Sequence, residues 1–149
     1  MREGFLTVQL AADAANGCVI FIRPADGANS DMCGILVGMV KTGLDHETSH
    51  RFTNDAWYFS PYNGGLYGNG KVRDDGQGKL KVGDRVGVLV DLDGGEGGDG
   101  GSVRFFVNGS EYGPGFKSGV TGPVVLGVEL TRKDQVVTLL ADAQKPAGL

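Results

Sequence analysis

Apolar residues in this chain come in short runs, separated by glycine and polar clusters. The runs are "FLTVQL" (5–10), "CVIFIR" (18–23), "CGILVGMV" (33–40), "AWYFS" (56–60), "RVGVLVDL" (85–92), "SVRFFV" (102–107), "VVLGVEL" (124–130) and "QVVTLL" (135–140). Their β-branched and aromatic content makes each a candidate strand. Several alternate. Val86, Val88 and Val90 share one face against Arg85, Gly87, Leu89 and Asp91, and Val124, Leu126, Val128 and Leu130 share another. Such one-sided patterns suit antiparallel sheets with one buried face. Trp57 and Phe59 fall on one face of their run, where a core would take them, while Tyr58 and Ser60 point the other way.

No glycine-free window longer than about ten residues keeps an i, i+3, i+4, i+7 apolar pattern, so helices are not expected. Short strands separated by turns predict an all-β fold, a two-sheet sandwich or a barrel. One domain is expected over residues 1–142. The tail at 143–149, "QKPAGL" with its preceding Ala, is expected to fray.

Composition narrows the class. A chain of 149 residues with 40% hydrophobic content buries roughly 70% of its unfolded surface and needs no staple. The net charge of −4, without a basic run, argues against nucleic acid or an anionic membrane as the main partner. Cys18 and Cys33 sit in apolar runs and read as small buried hydrophobes, with a disulfide possible but unforced. "MREGFLTVQL" lacks the apolar core of a signal peptide, and no stretch approaches the ~20 residues of a membrane span. The expected setting is intracellular, the cytoplasm first and the nucleus second. Glycine is the outlier, 27 residues without a fixed period, which excludes collagen and marks turns.

Chemistry enters at "DHETSHRF" (45–52). His46, Glu47 and His50 fit H-E-x-x-H, in which a helix brings two imidazoles to one zinc and the Glu to the attacking water. The helix is part of that motif, and the local sequence opposes one. Gly43 precedes it, and Thr48, Ser49, Thr53 and Asn54 favour caps and turns. No third His exists, and Glu96, Glu111 and Glu129 lie in or beside expected strands and turns. A zinc hydrolase is therefore a remote alternative, and a polar loop between strands is the preferred reading. No metal or other cofactor is expected.

"DLDGGEGGDGG" (91–101) carries acids among glycines, as calcium loops do, but Gly95 occupies the fifth position, where an EF-hand needs an oxygen-bearing side chain. It fits a single unit of the glycine-aspartate repeats of parallel β-helices, an architecture that needs several. A flexible insertion at a hairpin tip is the simpler reading. Neither G-x-S-x-G nor a P-loop occurs. A lectin-like or metal-dependent sugar-binding sandwich, using Tyr62, Tyr67 and the acidic glycine loop, is the second function class.

Four stretches taken in order resemble the SPRY domain. They are "ILVGMV" (35–40), "AWYFSPYNGGLYGNGKV" (56–72), "LKVGDRVGVLVDLD" (80–93) and "SVRFFVNGSEYGPGFKSGVTGPVVLGVEL" (102–130). Gly83, Asp84, Gly87 and Asp91 match the family's third element. Phe105 or Phe106, with Asn108, Gly109, Gly113 and Phe116, matches the fourth, and Pro123 stands before the last apolar strand. Asn108-Gly109 is also a tight-hairpin signal in its own right. The glycine insertion departs from the family pattern. The likeness is compatible with a stand-alone chain or with a domain of a longer one.

The resemblance implies a two-sheet antiparallel β-sandwich of concanavalin-like, jelly-roll architecture. It also implies a non-catalytic, monomeric module that binds a protein or peptide partner through loops between strands. In peptide-binding members those loops correspond here to Thr42–Asn54 and Glu129–Asp134. The expected contact residues are His46, Glu47, His50, Arg51 and Phe52 in the first and Arg132 in the second. An aromatic near the Phe52 position is a feature of the family, whereas the Trp of the second loop has no counterpart in "LTRKDQ".

Overall fold

The computed structural model describes residues 3–11, 19–22, 34–73, 80–81, 83–131 and 136–140. Cys18, Cys33, Arg132 and the 143–149 tail lie outside them. The described residues form an all-β fold. Its strands are β1 (Glu3–Ala11), β2 (Val19–Ile22), β3 (Leu36–Lys41), β4 (Ala56–Phe59), β5 (Leu66–Gly68), β6 (Lys71–Arg73), β7 (Arg85–Asp91), β8 (Gly101–Val107), β9 (Ser110–Glu111), β10 (Phe116–Val120), β11 (Val124–Leu130) and β12 (Val136–Leu140). One sheet runs β10-β8-β7-β1-β12, with β9 added beside β8. The other runs β2-β11-β3-β4-β5-β6. Neighbours pair antiparallel except β2 with β11, which is parallel.

The core lies where the alternation predicts it. Val86, Val88 and Val90 of the first sheet meet Val37, Met39, Trp57, Phe59, Leu126 and Val128 of the second in one buried cluster. Phe59 stacks on Phe105 across the sandwich with centroids 5.4 Å apart. Full burial of each such ring contributes about 1.5–3 kcal/mol. Gly38 shows how tightly β3 and β4 approach, because a Cβ at this position would overlap the main chain of Trp57. Asn108 and Gly109, with φ of 51° and 88°, make the expected two-residue turn between β8 and β9.

The outer face of the second sheet is not bare. Leu36, Val40, Ala56 and Tyr58 form a second buried cluster there, with Leu44, Tyr67 and Val125 packed against it. Tyr58 therefore points away from Trp57, as expected, yet it is fully buried. Leu44 of the 42–54 segment packs on this cluster, and Ser49 and His50 of the same segment reach Glu129 of β11. The acidic glycine segment closes the β7–β8 hairpin around a single 3-10 turn at Glu96–Gly98. Hydrogen bonds within it, Gly95 N–H to Gly100 O, and across to β10, Gly119 N–H to Asp99 O, hold it. Among the described residues no helix is long and apolar enough to cross a membrane.

Candidate interaction surface

The 42–54 segment is a chain of turns fastened at both ends. Thr42 N–H donates to Pro123 O, and Lys41 N–H donates to Asp55 O while its ammonium pairs with the Asp55 carboxylate at 3.3 Å. Asp45 starts the central turn as its sequence type favours. Its carboxylate accepts the Glu47 N–H at 3.0 Å and the Thr48 hydroxyl at 2.9 Å. Those two donors, with weaker help from His50 and His46, hold the Asp45 carboxyl below its ordinary range.

The apex is anchored from below. Glu129 of β11 is 1% exposed. Its carboxylate accepts the Ser49 hydroxyl at 2.6 Å and the His50 N–H at 2.9 Å. A buried carboxylate is tolerated because charge-assisted hydrogen bonds of this kind meet it. Next to this anchor, burial pushes the Tyr58 phenol well up, and the Glu129 carboxylate adds to the shift. The Tyr58 hydroxyl sits close enough to Glu129 to feel its carboxylate, though without a hydrogen bond of full geometry among the described residues, so burial sets its state first and the Glu129 oxygens second. His50 Nε2 lies 2.7 Å from Asp45 O. A carbonyl only accepts, so Nε2 carries the proton. Thr53 closes the turn, giving its N–H and hydroxyl to His50 O. Gly70 N–H donates to Thr53 O and ties the β5–β6 hairpin to the loop.

This places the expected contact residues differently from one another. His46 and Glu47 are exposed, Arg51 is half-buried and Phe52 is 60% exposed. His50 is buried and holds the loop from inside in this conformation. The Arg51 guanidinium lies 4.7 Å over the Phe52 ring, which meets Tyr67 in a T-shaped contact with centroids 6.0 Å apart. The H-E-x-x-H residues occupy turns, not a helix. Without the helix the two imidazoles lack the shared face the motif relies on, and no cluster of three metal-ligating side chains occurs among the described residues.

Glu129 and Ser49 were not among the expected site residues. Glu129 reads in sequence as an outward position of an apolar strand, with no local sign that a loop covers it. On the opposite sheet, an open groove of about 340 Å³ is lined by Leu89, Asp91, Glu96, Arg104, Glu111 and Phe116, among others. Its main charges answer each other, since Arg104 grips Glu111 through two hydrogen bonds of 2.8 Å.

A family model described as the SPRY domain matches residues 27–142. Among solved structures, the chain is similar to the SPRY domain of human HERC1, at 16% identity and a TM-score of 0.62, covering 95% of this chain and 77% of that one. It is also similar to a structure described as a human SPRY domain, at 19% identity and a TM-score of 0.57, covering 94% and 77%. At such identities the likeness is one of fold. A comparison with curated proteins gives no match.

Proposed function

The chain belongs to the SPRY domain family, whose members are generally non-catalytic protein–protein interaction modules, and from that premise we propose that it binds a protein partner, as a peptide segment or a folded surface, through the 42–54 loop. His46, Glu47, Arg51 and Phe52 make the contact, and His50, with Glu129 beneath it, keeps the loop in shape. Arg132, which follows β11 in the sequence, is proposed as a further contact residue. The module works inside the cell and as a monomer.

The observation that carries this reading is Phe52. A large aromatic side chain stands 60% exposed on a loop that is otherwise pinned by hydrogen bonds. Loops held by a rigid sandwich are where binding concentrates, and aromatic and Arg side chains are enriched at the core of protein interfaces. Preorganisation by Glu129 lowers the ordering cost of binding.

Affinity capture from cell lysate, with the wild type beside an Arg51→Glu/Phe52→Ala variant of unchanged thermal stability, tests it. A partner retained by the wild type and lost by the variant is expected. Capture of the same proteins by both rejects the loop as the binding surface.

A further inference from the structure

Of the three large apolar side chains exposed among the described residues, two flank one ring. Phe52 is 60% and Val72 50% exposed. Phe52 meets Tyr67 in a T-shaped contact, and Val72 stands directly across from Tyr67 in the β5–β6 ladder, on the same face. Tyr67 in turn pairs with Tyr58 and packs on the buried outer cluster. The result is an apolar strip along the outside of the second sheet, with Arg51 over its Phe52 end.

The strip borders an open strand. β6 ends its sheet among the described residues. Asn69 and Gly70, with φ of 53° and 72°, form a two-residue turn, so the flanking pair Gly68–Lys71 is the hydrogen-bonded one. The next pair, Tyr67–Val72, is then the non-bonded one, and the Val72 N–H and C=O point out of the sheet. Exposed edges of this kind template another strand unless charge discourages it. β6 reads Lys-Val-Arg, all three exposed. Two copies pairing here would bring like charges together, whereas an acid-bearing strand would be attracted.

Building on the interaction reading, we propose that the β6 edge and the Phe52–Tyr67–Val72 strip dock an extended segment of a partner protein. That segment pairs with the Val72 main chain, lays an apolar side chain on Tyr67 and Val72, and carries an acidic residue toward Lys71 or Arg51. Alternate side chains of the added strand supply specificity, as in strand addition elsewhere.

A phage-displayed library of random 12-residue peptides, selected on the full chain, supplies the probe. The best peptide is then synthesised with a fluorescent label for anisotropy titration. Enriched peptides are expected to carry an aliphatic or aromatic residue beside Asp or Glu. Val72→Glu and Phe52→Ala should each weaken binding about tenfold or more, with Val72→Thr nearer the wild type. Methylating the peptide's backbone amides singly should abolish binding at the one facing Val72 and spare the next; this scan alters only the peptide, so protein folding does not enter it. Tolerance of methylation at every position, an affinity unchanged in Val72→Glu, or a selection that yields no binder would overturn the proposal. Loss of binding in Arg51→Glu/Phe52→Ala with full binding in Val72→Glu would reject the edge and leave the loop reading standing.

Discussion

Ser49 donates its hydroxyl hydrogen to Glu129 over 2.6 Å, joining residues 80 apart in the chain. The His50 amide ends on the other oxygen of the same carboxylate. One buried side chain of β11 thus fixes the shape of the loop that carries the exposed aromatic. Replacing it with Ala strands the buried His50 amide, at a cost of about 1–3 kcal/mol, and releases a half-buried Ser49 hydroxyl that can turn to water at less cost. Glu129→Ala is expected to lower stability by that order in urea denaturation and to speed amide exchange at His50. Glu129→Gln, which keeps an acceptor, should cost less. Unchanged exchange at His50 in Glu129→Ala would show that the loop holds itself.

Tyr58 lies beside that carboxylate with its phenol shifted upward by burial and by Glu129. A folded state that keeps a proton the unfolded chain releases above about pH 10 is stabilised below that pH and loses the advantage above it. Stability should fall as pH rises past about 10, and Tyr58→Phe should flatten that fall. At neutral pH the same variant should differ from wild type by only about 1 kcal/mol, because the hydroxyl's contact with Glu129 falls short of a well-formed hydrogen bond.

The acid side has the opposite sign. Asp45 is held low by the Glu47 amide and the Thr48 hydroxyl, Asp84 by the Lys81 amide and the Asn108 side chain, and Glu111 by Arg104. Depressed carboxyl values give stability that is complete above the unfolded values near pH 4 and is lost as pH falls through the folded ones. Melting temperature is expected to hold from about pH 7 to 5 and to drop below about pH 4. Asp84→Asn should reduce the drop. Asp45 and Glu111 are exposed and Asp84 is only half-buried, so each effect is small.

How much of this was legible from residues depends on the range of the interaction. In β7 and β11 the alternating valines and leucines gave the core face, because period-2 burial is local. Asn108-Gly109 announced its turn for the same reason. Strands β5, β6, β9 and β10 carried too few residues, or too many glycines and polar ones, to show a period. Tyr58 was correctly placed on the outer face, but alternation says nothing about a loop folding over that face. Glu129 enters the sequence reading only as a candidate metal ligand and as the start of the second loop; its role beneath the first loop is not legible because its partners there are 79 and 80 residues away. Phe52 was marked by family likeness; its neighbours Tyr67 and Val72 join it only through sheet register and packing.

Gly38 tests the packing behind the surface. A methyl group there meets the Trp57 main chain, which cannot yield without opening the β3–β4 ladder. Gly38→Ala is expected to destabilise the fold by about 3 kcal/mol or more, the upper range for overpacking, read as a loss of cooperative unfolding at the wild-type midpoint.

The central claim is that the 42–54 loop face meets the partner. A photo-crosslinking amino acid placed at Phe52, irradiated in cells beside the same residue placed at Lys117 on the opposite sheet, tests it most directly. The account predicts a discrete protein adduct from position 52 and none of that mass from position 117. An adduct from 117 alone, or equal adducts from both, would contradict it.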